Sequence, residues 1–366
     1  ALELCEQKGL MLYPYSTYPG HFRPAISEGE NYAIKKKIFG LARTENICQC
    51  AAFHHHYSLP KGVFDPVTKK IRLLKRSKLE RSMVSCYNLE IAIDPALTLF
   101  AQSSPFFKGE FLAKDSRVVV YRGGKKLLYP DGAYSRLQQL GGLPPYKQTA
   151  TDLLHSLHRR QRRWYREVMR NAPDMNFDQL YPYKLDIGWN PVKLNKHGTL
   201  EQRGMDMNRM SVIVAITVLL KFCLKKIQRE LIEVVPADFA MNKPFKLENG
   251  ILYVPPHSYV RNRLQAWSAY EGFSKKEIYL YAKRFFNFAK SITPKRYSRI
   301  IKPISEMVEK KHSVSDQIIR YAKYKGYLDK NRISNTDSQA LALRYANDFK
   351  KDLEKTADAL EKVSVL

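Results

Sequence analysis

Residues 198–206 read GTLEQRGMD and carry a carboxylate and a guanidinium two positions apart. We predict a strand over Thr199 to Met207, preceded by a turn at Asn195 to Gly198. Because successive side chains of a strand point to opposite faces, Glu201 and Arg203 should share one face. Such a pair can hold a metal cation and a phosphate side by side; an exposed ion pair along a strand is the alternative.

A run of histidines follows the same rule. Residues 54–56 are all histidine and lie in a strand that we predict over Asn46 to Tyr57. Alternation puts His54 and His56 on one face about 7 Å apart at Cα, so both rings can reach one metal ion, or a metal and its phosphate. Cys48 would share that face ~26 Å from His56, which excludes a single zinc site built from both. Plain surface or core histidines are the alternative.

A third candidate site joins the end of a helix to a loop. Residues 103–109 read SSPFFKG. A lysine and backbone amides beside a glycine can bind an anion, which makes Lys108 a candidate phosphate ligand. The alternative is that these residues only end the helix and pack their aromatic side chains against it. The sequence contains no Walker loop, dinucleotide-binding glycine motif or Gly-x-Ser-x-Gly elbow.

Composition limits the class of protein and of partner. The chain has 366 residues, 44% of them hydrophobic, and a formal net charge of +27. This much apolar sequence excludes a mainly disordered chain, and the charge favours an anionic partner such as a phosphate, a nucleotide or a nucleic acid. The sequence lacks an apolar run long enough for a membrane span, and its odd count of cysteines argues against a secreted disulfide framework. We therefore expect a cytoplasmic protein with reduced thiols and no membrane partner.

Strands are predicted mostly in the first two-thirds of the chain and helices from His257 onward. The predicted helices used below are Leu79 to Ile93, Pro95 to Gln102 with Asp94 as its N-cap, and Ser211 to Glu230. The predicted strands are Arg117 to Tyr121 and Leu185 to Val192. This order favours an α+β fold, with an antiparallel sheet in residues 1–250 and a helical region in residues 251–366.

A long polar helix, which we predict to be capped by Thr151 and to reach Asn171, carries six arginines around Trp164 and Tyr165. Arginines interleaved with aromatic residues favour nucleic-acid binding. Arginines spread around a helix are also typical of a solvated surface. The helix therefore leaves open a second function, in which the protein binds RNA or another anionic partner.

Taken in order, these motifs resemble those of the glutamate–cysteine ligase type 2 family of carboxylate–amine ligases, over roughly residues 45–320. The family signature Gly-Thr-x-Glu-x-Arg-x-x-Asp is matched in full by residues 198–206. Its Gly-x-His-x-His strand is matched at residues 52–56 with Ala52 for the glycine, and its Asn-Ser-Pro-Phe-x-x-Gly segment at residues 103–109 with Ser103 for the asparagine. Residues 142–144 are similar to its Gly-x-Pro loop.

The resemblance implies a curved antiparallel sheet of the glutamine-synthetase-like type, whose concave face holds ATP and Mg²⁺. It implies a ligase that activates a carboxylate as an acyl phosphate and joins it to an amine. The γ-carboxylate of glutamate and an amino acid such as cysteine are the expected substrates, as in glutathione biosynthesis. A homo-oligomer is expected, and a nucleic-acid partner is not. The family's opening strand of metal-binding glutamates has no counterpart in this sequence.

The resemblance also implies a role for each matched residue. Glu201 would bind Mg²⁺ and, with Arg203, take part in catalysis. His54 and His56 would bind the metal or the phosphates of ATP, and Arg203 would contact the nucleotide. Lys108 lies at a position that the motif leaves variable and is expected to contact the nucleotide on its own chemistry. Two other functions stay open: a non-catalytic relative that binds an anionic partner such as RNA, and a histidine-metal hydrolase.

Overall fold

Short strands are interspersed among helices in the computed structural model, which describes residues 2–72 and 77–364. The strands are β1 (Ala52–Ser58), β2 (Phe64–Asp65), β3 (Lys70–Ile71), β4 (Phe106–Phe107), β5 (Glu110–Phe111), β6 (Val192–Asn195), β7 (Thr199–Asp206), β8 (Glu233–Pro236), β9 (Lys246–Glu248), β10 (Ile251–Val254), β11 (Leu328–Asp329) and β12 (Arg332–Ile333). The α-helices are α1 (Leu2–Gln7), α2 (Glu30–Phe39), α3 (Leu41–Cys48), α4 (Lys78–Ala101), α5 (Ser116–Arg122), α6 (Gln138–Gly141), α7 (Ala150–Asn171), α8 (Phe177–Leu180), α9 (Met210–Glu230), α10 (His257–Tyr259), α11 (Gln265–Tyr270), α12 (Lys276–Ile292), α13 (Lys302–Lys310), α14 (Val314–Tyr324) and α15 (Asn335–Ser364).

The strands pair in small sheets. The sheet with the predicted site has the order β1–β7–β6 and is antiparallel throughout. The β2–β3 pair and the β11–β12–β5–β4 sheet are antiparallel as well, whereas β10 pairs parallel with β8 and antiparallel with β9. A mixed fold with antiparallel pairing and a helical C-terminal region is therefore confirmed, and the parallel β8–β10 pair was not predicted.

Helix α4 is the centre of the fold, because every residue from Ser82 to Ala101 is buried. It packs against α9, α12 and the site strand β7. The prediction of two helices, with Asp94 as the cap of the second, is wrong, since α4 runs through Pro95. Both oxygens of the Asp94 carboxylate instead accept hydrogen bonds from the buried guanidinium of Arg122, at 2.6 and 2.9 Å.

Two predicted strands are also wrong. Residues Arg117 to Tyr121 lie in α5, because the Asp115 carboxylate caps that helix by accepting a hydrogen bond from the Val118 amide at 2.8 Å. A cap and full burial outweigh the strand preference of the β-branched run. The strand predicted over Leu185 to Val192 begins only at Val192.

The strand predicted from Asn46 is shorter than expected. Helix α3 continues through Cys48, and β1 begins at Ala52. Cys48 therefore shares no strand face with His54. All five cysteines are free thiols.

The largest hydrophobic core cluster draws residues from both predicted regions, 1–250 and 251–366. It extends from Tyr15 to Leu341, so α4 is covered by helices of the C-terminal region as well as by the site sheet. The boundary at residue 250 stays a prediction. Across residues 2–72 and 77–364, no helix is long and apolar enough to cross a membrane.

Candidate functional site

Four of the predicted residues meet on one face of the β1–β7–β6 sheet. His56 lies directly opposite Glu201, and one ligand atom each of His54, His56 and Glu201 lie within 4.8 Å of one another. His54 Nδ1 is 3.2 Å from Glu201 Oε1, and Arg203 Nη1 is 3.8 Å from the same oxygen. The fold thus brings together the side chains that strand alternation places on one face.

A β-bulge in β7 sets the position of Arg203. The pairing with β1 shifts by one residue between Gln202 and Met205, which leaves an extra residue on β7. The Arg117 guanidinium donates hydrogen bonds to the carbonyl oxygens of Arg203 and Gly204, at 3.0 and 3.2 Å. Bulges often re-aim a side chain beside a functional site. Arg117, from α5, is therefore a positioning residue for the bulge.

Gly204 in this bulge leaves room for a buried ion pair. A Cβ atom at Gly204 would lie 2.3 Å from Asp94 Oδ1 and 2.4 Å from Arg122 Nη2. The Asp94–Arg122 pair is almost fully buried, and Gln265 Oε1 accepts a further hydrogen bond from Arg122 at 2.7 Å. This pair packs α4 and α5 directly against the strand that carries Glu201.

Sequence reasoning missed two residues of the site, Lys193 and Asn195 of β6. Lys193 lies directly opposite Glu201, and its buried ammonium donates to the Gly188 carbonyl at 3.1 Å. Asn195 Nδ2 donates to Glu201 Oε2 at 2.6 Å. The predicted turn at Asn195 to Gly198 was the available signal, because a hairpin there places residues 193 and 195 beside β7.

The charge of Glu201 is strongly stabilised. Burial alone would raise the pKa of its carboxyl, but the hydrogen bond from His54, the charge of Arg203, the hydrogen bond from Asn195 and the charge of Lys193 together lower that pKa to about 2. Burial, followed by repulsion from Arg203, lowers the pKa of Lys193 to about 7, although Glu201 opposes the shift. The face therefore holds one ionised carboxylate among several cationic or neutral nitrogen groups.

Two imidazoles and one carboxylate form a ligand set suited to divalent metals of the Zn²⁺ or Mn²⁺ type, whereas Mg²⁺ prefers oxygen ligands. His54, His56 and Glu201 would provide three ligands. An octahedral ion would need three more, which phosphate oxygens or water can provide. Arg203 adds positive charge beside the same carboxylate, so the face can attract an anion together with a cation.

Lys108 has a different setting. It occupies the two-residue turn between β4 and β5 with Gly109, and both residues have positive φ, 52° and 76°. Its ammonium lies over the Phe107 ring, 5.5 Å from the ring centroid. Among the described contacts, none joins Lys108 to Glu201 or to the histidines. Its nucleotide-binding role stays a prediction from its chemistry.

The six arginines of α7 do not form one group. Arg160 is buried, and Arg163 and Arg170 pair with the carboxylate of Glu167 at 2.9 and 3.6 Å. Arg170 is exposed although it is paired, and three further exposed arginines recur at helical spacing: Arg159, Arg162 and Arg166. We call these three, which form no ion pair among the described contacts, the outward stripe of α7.

No protein-family model matches this chain, and no curated protein matches its sequence significantly. The likeness to the glutamate–cysteine ligase type 2 family therefore rests on the motifs in the sequence.

Proposed function

We propose that this chain is an ATP-dependent carboxylate–amine ligase with a glutamine-synthetase-like sheet. The observation that carries the proposal is the convergence of His54, His56 and Glu201 within 4.8 Å, with Arg203 on the same sheet face. A ligase of this class must hold ATP phosphates and a divalent cation next to a carboxylate substrate. A face with metal ligands and a guanidinium side by side suits that task.

The reaction has two steps. An oxygen of the substrate carboxylate attacks the γ-phosphorus of ATP, and ADP leaves, which gives an acyl phosphate. The nitrogen of the amine then attacks the acyl carbon, phosphate leaves, and the nitrogen loses a proton to give the amide. A divalent cation held by His54, His56 and Glu201 would neutralise charge on the phosphate oxygens.

The protein's own side chains have separate roles in this scheme. Arg203 would stabilise negative charge that develops on the phosphoryl group during transfer. Asn195 and Lys193 would hold the Glu201 carboxylate in its position from the neighbouring strand. Arg117 would fix the bulge from which Arg203 extends. A histidine-metal hydrolase would use the same metal ligands, but it would not need a phosphate-holding Arg203.

The proposal is tested by measuring ADP formation with the purified chain, ATP, and either Mg²⁺ or Mn²⁺. Pairs of amino acids are supplied as carboxylate and amine, beginning with glutamate and cysteine. We expect repeated turnover, measured as ADP in excess of the enzyme, only when both substrates and a divalent cation are present, and we expect the product to contain a new amide detectable by mass spectrometry. Sustained ADP release without the amine, well beyond one equivalent of enzyme, would contradict the ligase reaction and favour a hydrolase.

A second function is favoured by the outward cationic stripe of Arg159, Arg162 and Arg166 together with the net charge of +27. A non-catalytic protein could bind the phosphates of RNA through this stripe. Binding would weaken steeply with salt, because each neutralised phosphate releases counterions. Fluorescence anisotropy with single-stranded RNA at several salt concentrations tests it, with Arg162→Gln expected to reduce both the affinity and the salt dependence.

A further inference from the structure

A cavity of about 410 Å³ lies between the loop after α6, the first half of α7 and the start of α10. Four cationic side chains line it, and we call it the basic pocket: Lys147, Arg159, Arg160 and Arg261. Within the described ranges, no carboxylate lines this pocket. The three arginine side chains donate hydrogen bonds to uncharged oxygens. The acceptors are Ser156 Oγ for Arg159 at 3.2 Å, Asn190 Oδ1 for Arg160 at 2.8 Å and Gln138 Oε1 for Arg261 at 3.3 Å.

Arg160 carries an unused hydrogen-bond donor in this pocket. Its residue is only 5% exposed. Nη1 donates to Asn190, whereas the buried Nη2 has no hydrogen-bond partner in the part of the chain that the structure describes. The buried Tyr87 hydroxyl lies close enough to the guanidinium for an electrostatic interaction and a weak hydrogen bond, but the geometry of that bond is poor. A buried guanidinium with an unpaired N–H group is costly unless a ligand accepts from it.

His257 provides a second unused group. Its ring lies beside the backbone carbonyls of Leu143 and Pro144, and its buried Nε2 has no hydrogen-bond partner among the described residues. Burial lowers the pKa of this ring to about 4, so the imidazole is neutral near pH 7. A neutral ring nitrogen can accept from a hydroxyl or donate to an oxygen of a ligand.

The local backbone also points to a ligand site. Residues Val260–Leu264 form a π-helical turn between α10 and α11, and this turn carries Arg261. Such turns are rare and are frequent at functional sites. Lys147 is 7% exposed, and burial followed by repulsion from Arg160 and Arg159 lowers its pKa to about 8. The pocket therefore concentrates positive charge that its own lining does not neutralise.

We propose that the basic pocket binds the phosphoryl group of a small phosphorylated metabolite. A phosphate ester carries close to two negative charges near pH 7 and several acceptor oxygens, which matches a set of four cations better than a single carboxylate does. Arginine forks bind such oxygens in pairs. The cavity volume is in the range of small-molecule sites, so the rest of the metabolite could reach His257. The proposal does not depend on the ligase reaction, since the pocket lining is distinct from His54, His56, Glu201 and Arg203.

The test is isothermal titration calorimetry of the full chain without ATP or metal. The probes are glycerol 3-phosphate, inorganic phosphate and succinate. We expect both phosphates to bind, the ester more tightly, and succinate at least about 10-fold more weakly, because it lacks the clustered oxygens of a phosphate. Arg261→Gln and Lys147→Met should each weaken the ester about 10-fold or more, as expected for losing a hydrogen bond to a charged group. Arg166→Gln, on the outward stripe of the same protein, should change affinity less than about twofold.

Several results would overturn the proposal. Equal weakening by Arg166→Gln and the pocket variants would mean that phosphate binds to surface charge. If succinate bound as tightly as the ester, the pocket would not be selective for phosphate. If inorganic phosphate bound and the ester did not, the ligand would not be a phosphorylated metabolite. Absence of phosphate binding by the wild-type chain would also contradict it. Thermal melting of each variant is measured beside the titration. If one of the two pocket variants fails to fold, the other decides, because Arg261 and Lys147 both line the pocket and lie outside the outward stripe.

Discussion

At the scale of single residues, Gly204 shows how the site depends on the core beneath it. A methyl group at this position would overlap Asp94 Oδ1 and Arg122 Nη2, both of which are buried. We expect Gly204→Ala to lower the free energy of unfolding by about 1–3 kcal/mol, the usual range for overpacking. Urea denaturation measures it. Gly29→Ala is the matched control, because its new Cβ would meet no described atom closer than 3.6 Å. Equal losses of unfolding free energy in the two variants would contradict the close packing at the bulge.

His257 should make stability depend on pH. Burial lowers its pKa in the folded protein to about 4, whereas an unfolded histidine titrates near 6.5. Between these two pH values the unfolded chain binds more protons than the folded protein. The stabilisation that comes from keeping His257 neutral is therefore complete above about pH 6.5 and is lost as pH falls towards 4.

The measurement is the urea midpoint at pH 7 and at pH 5. We expect the wild-type midpoint to fall more over this interval than that of His257→Gln, which lacks the titrating ring. His155→Gln, at an exposed histidine of α7, should keep the wild-type difference. A His257→Gln midpoint that falls as much as the wild type would show that His257 is not held neutral.

Strand alternation was enough to place Glu201 with Arg203 and His54 with His56, because it is a property of the backbone within one strand. That the two pairs share a sheet face was predicted from the resemblance, and in the structure it depends on the pairing register and bulge of β1 and β7. Lys193 was missed because the strand that holds it was predicted to end at Val192. The contact of Arg117 with the bulge joins residues far apart in sequence, and no local pattern encodes such a contact.

At the scale of elements, local patterns predicted β7, α7 and α9 to within a few residues, since each combines a clear hydrophobic period with turn or cap signals. They failed for α4 and α5. Asp94 has the sequence features of a cap, but the distant Arg122 holds its carboxylate. The β-branched run of α5 favours a strand until the Asp115 cap and its buried surroundings are known.

Helix α7 offers a direct test of its N-terminus. Thr151 was predicted as the cap, but Thr149 is the observed cap: its Oγ1 accepts from the Asp152 amide at 3.1 Å, and Asp152 Oδ2 accepts from the Thr149 amide at 3.1 Å. Thr149→Ala should lower the free energy of unfolding by about 1 kcal/mol, the typical value for losing a cap. Thr151→Ala, at an exposed position within the helix, should change it by less than about 0.5 kcal/mol. Thermal or urea unfolding compares the two, and the reverse order would contradict the observed capping box.

At the scale of the whole molecule, the sequence predicted a mixed fold with antiparallel pairing and helices at the C-terminal end. The β11–β12 hairpin interrupts those helices, and its strand β12 pairs with β5 from the first third of the chain. Strands as short as these contain too few residues for an alternating hydrophobic pattern to be recognised in the sequence. The glutamine-synthetase-like sheet, the substrates and the oligomeric state stay predictions from the resemblance.

Net charge is a property of the whole chain, and two features of the structure account for part of it. The basic pocket gathers four cations, and the outward stripe of α7 adds exposed arginines. Neither feature includes Glu201 or its histidine neighbours. Arg159 belongs to both the pocket and the stripe, so variants of other residues separate the three activities: Arg261→Gln for the pocket, Arg166→Gln for the stripe and Arg203→Ala for the sheet.

The central claim is that the sheet face of Glu201 and Arg203 transfers a phosphoryl group, and Arg203→Ala tests it most directly. Amine-dependent ADP formation and thermal melting are measured for the wild type, for Arg203→Ala and for Arg166→Ala as an exposed-arginine control. We predict a loss of turnover of about 100-fold or more in Arg203→Ala, because Arg203 would act on charge that develops in the transition state. Its melting temperature should stay within about 4 °C of the wild type, since the side chain lies on a polar sheet face. Equal turnover in the wild type and Arg203→Ala, or an absence of amine-dependent ADP formation by the wild type with every amino-acid pair, would contradict the claim.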